Sequence, residues 1–174
     1  MRLGRCSTVA VLIVAPVVLL FWASSAFGIR LNTSPSLPFG LYRVTADGSA
    51  PLVEFCPAEP VASLAIARGY RQAGSCPDGG TPLMKPIVAR AGDVVEVSAA
   101  GVRVSGNLLR NSAPLSRDTA GRLLSPWPAG KYAVPPGVVW LISDYHARSF
   151  DSRYFGPIPT NLIKDHLRPL LVLP

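Results

Sequence analysis

Val94-Val95-Glu96-Val97-Ser98-Ala99-Ala100-Gly101-Val102-Arg103-Val104 places apolar side chains at alternate positions on both sides of a small-residue turn. A period of two, broken by Ala-Ala-Gly, is the pattern of a β-hairpin with one face in a core. Outward from it, Pro86-Ile87-Val88-Ala89-Arg90 reads as a strand on one side. Lys131-Tyr132-Ala133-Val134, Val138-Val139-Trp140-Leu141-Ile142 and Leu167–Leu173 read as strands on the other, and Gly40-Leu41-Tyr42-Arg43-Val44 as one near the start. The one helix predicted in this part lies within 57–70, over Ala58-Glu59-Pro60-Val61-Ala62-Ser63-Leu64-Ala65-Ile66-Ala67-Arg68, with Gly69 as its stop signal. Residues 111–130, rich in Pro, Gly, Ser and Arg, read as an exposed loop. Composition agrees: 18 Pro and 15 Gly in 174 residues exclude a helical bundle or coiled coil, because helix interiors tolerate neither. The expected fold is mostly β, and the length suits one domain.

The N-terminus is a different polymer. Cys6 through Ile29 is a 24-residue run without a charge. As a helix it would span roughly 30 Å or more, enough for the hydrocarbon core of a bilayer. Arg2 and Arg5 precede it, so the positive-inside rule puts the short N-terminus in the cytoplasm and the rest of the chain outside. A signal peptide cleaved near Ser24-Ser25-Ala26 is the alternative, but the run exceeds the roughly 7–15 apolar residues usual there. The expected organisation is a transmembrane anchor over 1–29 and an exported domain over 30–174.

Seventeen basic and ten acidic residues give a net charge of +7. The arginines are scattered singly, with no basic run or glycine-aromatic strand motif, which argues against nucleic-acid binding. Attraction to anionic lipid accounts for the excess. Export also changes how the cysteines read. Cys56 and Cys76 would lie on the oxidising side, where a disulfide between them is the expected state. The three cysteines and two histidines lack metal-ligand spacing, and no metal or cofactor is expected.

Three stretches could carry chemistry. Lys85 is one of only three lysines and sits in Pro82-Leu83-Met84-Lys85-Pro86-Ile87-Val88, apolar on both sides. Burial disfavours an ammonium and can make a lysine a general base near neutral pH. An outward-pointing lysine guarding an edge strand fits the same local sequence. Ser36, in Asn32-Thr33-Ser34-Pro35-Ser36-Leu37-Pro38-Phe39-Gly40, is held between two prolines that would fix its hydroxyl, although a plain Ser/Pro linker has the same composition. The third stretch is Ser143-Asp144-Tyr145-His146-Ala147-Arg148-Ser149-Phe150-Asp151-Ser152-Arg153-Tyr154-Phe155-Gly156, which could equally be a polar turn with surface ion pairs. His146 and His166 are rival bases.

In their order and spacing these three stretches, with Ala91-Gly92-Asp93 and the Cys56–Cys76 loop, resemble the signal peptidase I superfamily of Ser–Lys membrane proteases. Within it they are similar to the conjugative-transfer branch, the TraF-type pilin-maturation peptidases. A proline two residues after Ser36, rather than three, favours that branch. The resemblance implies a signal-peptidase-like small β domain on a single N-terminal transmembrane helix of the bacterial inner membrane, with the catalytic domain in the periplasm. It implies Ser36 as nucleophile, Lys85 as the unprotonated base, and Ser34 with the Ser36 N–H as oxyanion hole. Ser149 would orient the Lys85 amine, Asp151 and Arg153 would buttress that wall, and Asp144 would match the family's earlier aspartate. At Tyr145-His146 the chain departs from the Asn and Arg usual in general bacterial signal peptidases. The implied partners are a membrane-tethered preprotein such as a pilin precursor, the membrane, and the conjugative transfer apparatus, and the pilin product is linear or cyclised. A housekeeping signal peptidase and a non-catalytic assembly factor of the same fold are the competing functions.

Overall fold

The computed structural model describes residues 27–173. Its strands are β1 (Ile29–Asn32), β2 (Gly40–Thr45), β3 (Leu52–Phe55), β4 (Leu83–Ala89), β5 (Val94–Ser98) and β6 (Gly101–Val104). They continue with β7 (Asn107–Leu108), β8 (Gly130–Ala133), β9 (Val138–Leu141), β10 (Ile158–Pro159) and β11 (Ile163–Val172). Two short helices, α1 (Val61–Ala67) and α2 (Ser152–Phe155), and a 3-10 turn (Thr160–Leu162) complete the described chain. One antiparallel sheet runs in the order β1-β2-β11-β3-β4-β9-β10 and a second in the order β7-β6-β5-β8.

The alternating hairpin forms as its pattern predicts, with Ser98 opposite Gly101 and Val95 opposite Val104. Strand β9 and the residue after it explain why the two sheets hold together. Val139 and Leu141 point into a core with Val53, Phe55 and Ile158. Trp140 and Ile142 point the other way, into a core with Val95, Val97 and Val102. Successive strand side chains face opposite sides, so a strand buried on both faces needs an unbroken apolar run. Each such aliphatic side chain contributes about 1.5–3 kcal/mol by leaving water.

Helix α1 lies inside the predicted 57–70 window, and Gly69 follows it with a φ of +70°. Of the loop read over 111–130, residues 111–129 contain neither helix nor named strand, and Gly130 opens β8. Strands β1, β3, β7 and β10 and helix α2 go beyond the sequence expectation of a single helix and fewer strands. Ile29, the last residue of the apolar run, is already the first of β1, paired with Arg43. At Gly40 the chain needs glycine: φ is +144°, and a Cβ there would lie 2.2 Å from the Leu171 carbonyl oxygen. This close approach lets β2 and β11 pair immediately after the Ser36 segment. Among the described residues no helix is long and apolar enough to cross a membrane, and the predicted anchor falls almost entirely outside them.

Cys56 and Cys76 are disulfide-bonded with Cα atoms 5.6 Å apart, closing a loop that contains α1. Cross-linking a loop of this size restricts the unfolded chain and stabilises by about 3 kcal/mol. Replacing both cysteines by serine should lower the free energy of unfolding in urea by about that amount. An unchanged urea midpoint would show that the link contributes nothing.

Candidate active site

Three segments converge on one cleft of about 470 Å³: the loop from Asn32 to Ser36, the start of β4 around Lys85, and the segment after β9 that includes His146, Arg148 and Phe150. Each is positioned by polar groups that the fold buries.

Asn32 ends β1 and is itself buried. Its amide nitrogen donates to the carbonyls of Ser34, Leu37 and Pro38 at 3.0–3.1 Å. Its carbonyl oxygen accepts from the Ser34 N–H at 3.1 Å and the Ser34 hydroxyl at 3.0 Å. One side chain thereby folds the serine loop around itself. The Tyr42 hydroxyl donates to the Pro38 carbonyl at 2.7 Å and adds a second clamp. Ser36 is buried yet borders the cleft, and its main-chain carbonyl is held by the Ser143 hydroxyl.

Lys85 sits on β4 opposite Val53 of β3, within the larger sheet. An edge-guarding role is therefore excluded: the side chain is buried, and Nζ donates to Ser149 Oγ at 2.9 Å. Desolvation lowers its pKa from 10.5 to about 8. The negative charge of Asp151 opposes that shift and the positive charge of Arg153 assists it.

Behind the lysine, Asp151 and Arg153 are both fully buried. Arg153 Nε and Nη2 reach the two Asp151 oxygens at 2.8 and 3.0 Å. Nη2 also donates to the Ser143 carbonyl at 2.7 Å, and Nη1 to the carbonyls of Asn111 and Ala147 at 2.6 and 3.1 Å. All five guanidinium N–H groups are therefore used. Asp151 accepts in addition from the N–H groups of Arg153 and Ser143. The pair fixes both ends of the segment 143–153, which carries Ser149 to the lysine and Ser143 to the serine loop.

Hydrogen bonds thus link Ser36 through Ser143 to Asp151 and Arg153, and Lys85 to Ser149, with Ser36 and Lys85 lining the same cleft. Ser34 lines the cleft with its hydroxyl turned to Asn32. Asp144 is not brought in: its carboxylate faces Arg110 at 3.6 Å on the surface. His146 lines the cleft with Nδ1 accepting from the Arg148 N–H, whereas His166 lies on β11 beside the Ala50 carbonyl. The sequence reading assigned no role to Asn32 or Ser143. Asn-x-Ser is also an Asx-turn signature, and that signal could have marked Asn32 as the organiser of the loop.

Ser36 and a buried lysine of lowered pKa line the same cleft, the residue types from which nucleophilic hydrolysis is built. The chain belongs to the signal peptidase family, peptidase S26, whose family model matches residues 2–168. It is 41% identical to plasmid transfer protein TraF of Escherichia coli, over 91% of this chain and 92% of that protein. It is 42% identical to a probable conjugal transfer protein TraF of Sinorhizobium fredii, over 76% of this chain and 71% of that one. A solved signal peptidase I from Enterococcus faecalis overlays loosely on 72% of this chain and 99% of its own, with 17% identity and a TM-score of 0.38.

The ion pair predicts its own test. Removing one partner of a buried pair leaves an uncompensated charge, so Arg153→Ala should cost about 3–5 kcal/mol of stability, read as a shift of the urea midpoint. Lysine cannot present five fixed donors, so Arg153→Lys should recover only part of the loss. A loss below about 1 kcal/mol for the alanine variant would place the pair among surface-like contacts.

Proposed function

We propose that this protein is a serine endopeptidase with a Ser36–Lys85 dyad, anchored in the bacterial inner membrane, that processes pilin precursors for a conjugative transfer system. The observation that carries the proposal is the buried Lys85 amine, hydrogen-bonded to Ser149 and lowered to a pKa of about 8, opening on the same cleft as Ser36. A lysine placed only for structure has no need of a depressed pKa in a substrate-sized cleft.

In this mechanism neutral Lys85 takes the Ser36 hydroxyl proton as Oγ attacks the scissile carbonyl. The developing oxyanion meets the Ser36 N–H and the Ser34 hydroxyl, which turns from Asn32 when substrate arrives. The Lys85 ammonium returns its proton to the leaving amine, and an acyl-enzyme on Ser36 remains. Water, activated by the same lysine, releases a linear product. An amine of the substrate attacking in its place would release a cyclic one. Nζ donates to Ser149 before substrate is present, so the Ser149 hydroxyl holds the amine in place until the serine proton is transferred.

Two observations support the setting. The relatives are named as plasmid or conjugal transfer proteins. The first strand starts at Ile29, where the apolar run of the sequence ends, and Ser36 follows seven residues later. Even fully extended, that length reaches only about 25 Å, so an anchored domain would keep its nucleophile near the membrane surface, where a tethered precursor presents its scissile bond.

Ser36→Ala and Lys85→Ala should each lower processing of a co-expressed pilin precursor by roughly 10³-fold or more, followed by mass spectrometry of the pilin. Lys85→Arg should be equally inactive, because guanidinium does not deprotonate. Wild-type activity should rise with pH through about 8, the range in which Lys85 loses its proton, and fail in acid. Substantial processing by any of these variants would remove the dyad assignment.

A further inference from the structure

The cleft holds more positive charge than the dyad chemistry uses. Arg117 and Arg148 both line it, and both side chains are exposed. Arg71, Arg122 and Arg153 each hold a carboxylate, but among the described residues neither Arg117 nor Arg148 does. Arg117 spends one donor on the Gly121 carbonyl at 2.6 Å, whereas the hydrogen bond recorded at Arg148 comes from its main-chain N–H.

Among the described residues one carboxylate lines the cleft, that of Asp118, and it is already saturated. It accepts from the Tyr70 hydroxyl at 2.6 Å, from Arg122 Nε at 2.7 Å, and from the N–H groups of Ala120 and Arg122 at 2.9 Å. These donors hold its pKa well below the usual carboxylate range, so it stays ionised and committed to them. Two guanidinium groups without a counter-ion therefore face a cavity whose one carboxylate is neutralised elsewhere. Phe150, Tyr154 and Leu124 supply apolar wall to the same cleft, which weakens solvent screening of any charge bound there. Guanidinium forks match carboxylates in shape and charge.

We propose that Arg117 and Arg148 form a carboxylate-binding subsite, so that the cleft favours peptides carrying a carboxylate near the bond to be cleaved. The carboxylate is an acidic side chain or the peptide's free C-terminus. The substrate-binding role of the cleft rests on the peptidase reading above.

The test uses the full chain in detergent micelles as Ser36→Ala, so that peptides bind without turnover. Two probe pairs are titrated against it by NMR: acetyl-Ala-Ala-Ala with a free C-terminus against its carboxamide, and acetyl-Ala-Glu-Ala-amide against its Gln counterpart. At least one carboxylate peptide should bind about fivefold more tightly than its neutral twin, with the difference shrinking as salt rises. The pair that discriminates identifies the source of the carboxylate. Arg117→Gln and Arg148→Gln, added singly, should each reduce the preference, and together they should abolish it. Equal binding within both pairs, a preference that survives both substitutions, or no binding of either carboxylate peptide at millimolar concentration would overturn the subsite. Failure of the dyad variants to stop processing would remove the peptidase reading while leaving a measured carboxylate preference intact.

Discussion

The buried pair of Asp151 and Arg153 is the interaction on which the rest of the site depends. A guanidinium removed from water must use every donor, and Arg153 does so by reaching the carbonyls of Asn111, Ser143 and Ala147 as well as Asp151. Those demands tie the loop over 111–130 to the segment after β9 and hold Ser143 beside the serine loop. Asp151 also caps α2 by accepting the Arg153 N–H. Replacing such a pair by apolar residues is often neutral for stability, so its use here reflects the positions it imposes on its neighbours.

Lys85 shows the opposite economy. Its folded pKa of about 8 lies below the ordinary lysine value of 10.5, so the folded state disfavours the protonated amine. The linkage sign follows: burial of Lys85 destabilises the fold in full below about pH 8, and the penalty fades as pH rises towards 10.5. Near neutral pH the domain therefore carries a cost of about 3 kcal/mol, a figure that already includes the favourable Asp151 charge. A residue that weakens the fold at working pH and opens on a cleft is better explained by chemistry than by packing.

Much of the fold was legible because period-two alternation survives wherever a strand has one wet face. The hairpin of β5 and β6 is of this kind, whereas β9, buried on both faces, was legible as an unbroken apolar run. Strand β3 escaped because Leu52-Val53-Glu54-Phe55 buries its glutamate, and only the structure shows Arg30 bonding both carboxylate oxygens at 3.1 Å. Desolvation raises the Glu54 pKa, and Arg30 counters it. Strand β1 was hidden at the end of the apolar run, and α2 is a single turn capped by Asp151, too short to show a helical period. In the site, Lys85 and the Asp151–Arg153 box were legible from residue type and order. The Asn-x-Ser spacing could have marked the turn from Asn32 to Ser34, but no sequence pattern displays the three main-chain carbonyls that the Asn32 amide also holds. Asp144 was carried over by spacing alone, and spacing does not record that its side chain turns outward to Arg110.

The most direct measurement is the protonation of the Lys85 amine itself. The chain has only three lysines, so ¹³C-labelled lysine gives few side-chain signals, and Lys85→Met identifies the one that matters. Titrated by NMR in the full-length protein, the Lys85 signal should move with a midpoint of about 8. A midpoint at the ordinary value of 10.5 would contradict the central claim, because the amine would then be charged at working pH and unable to take the Ser36 proton.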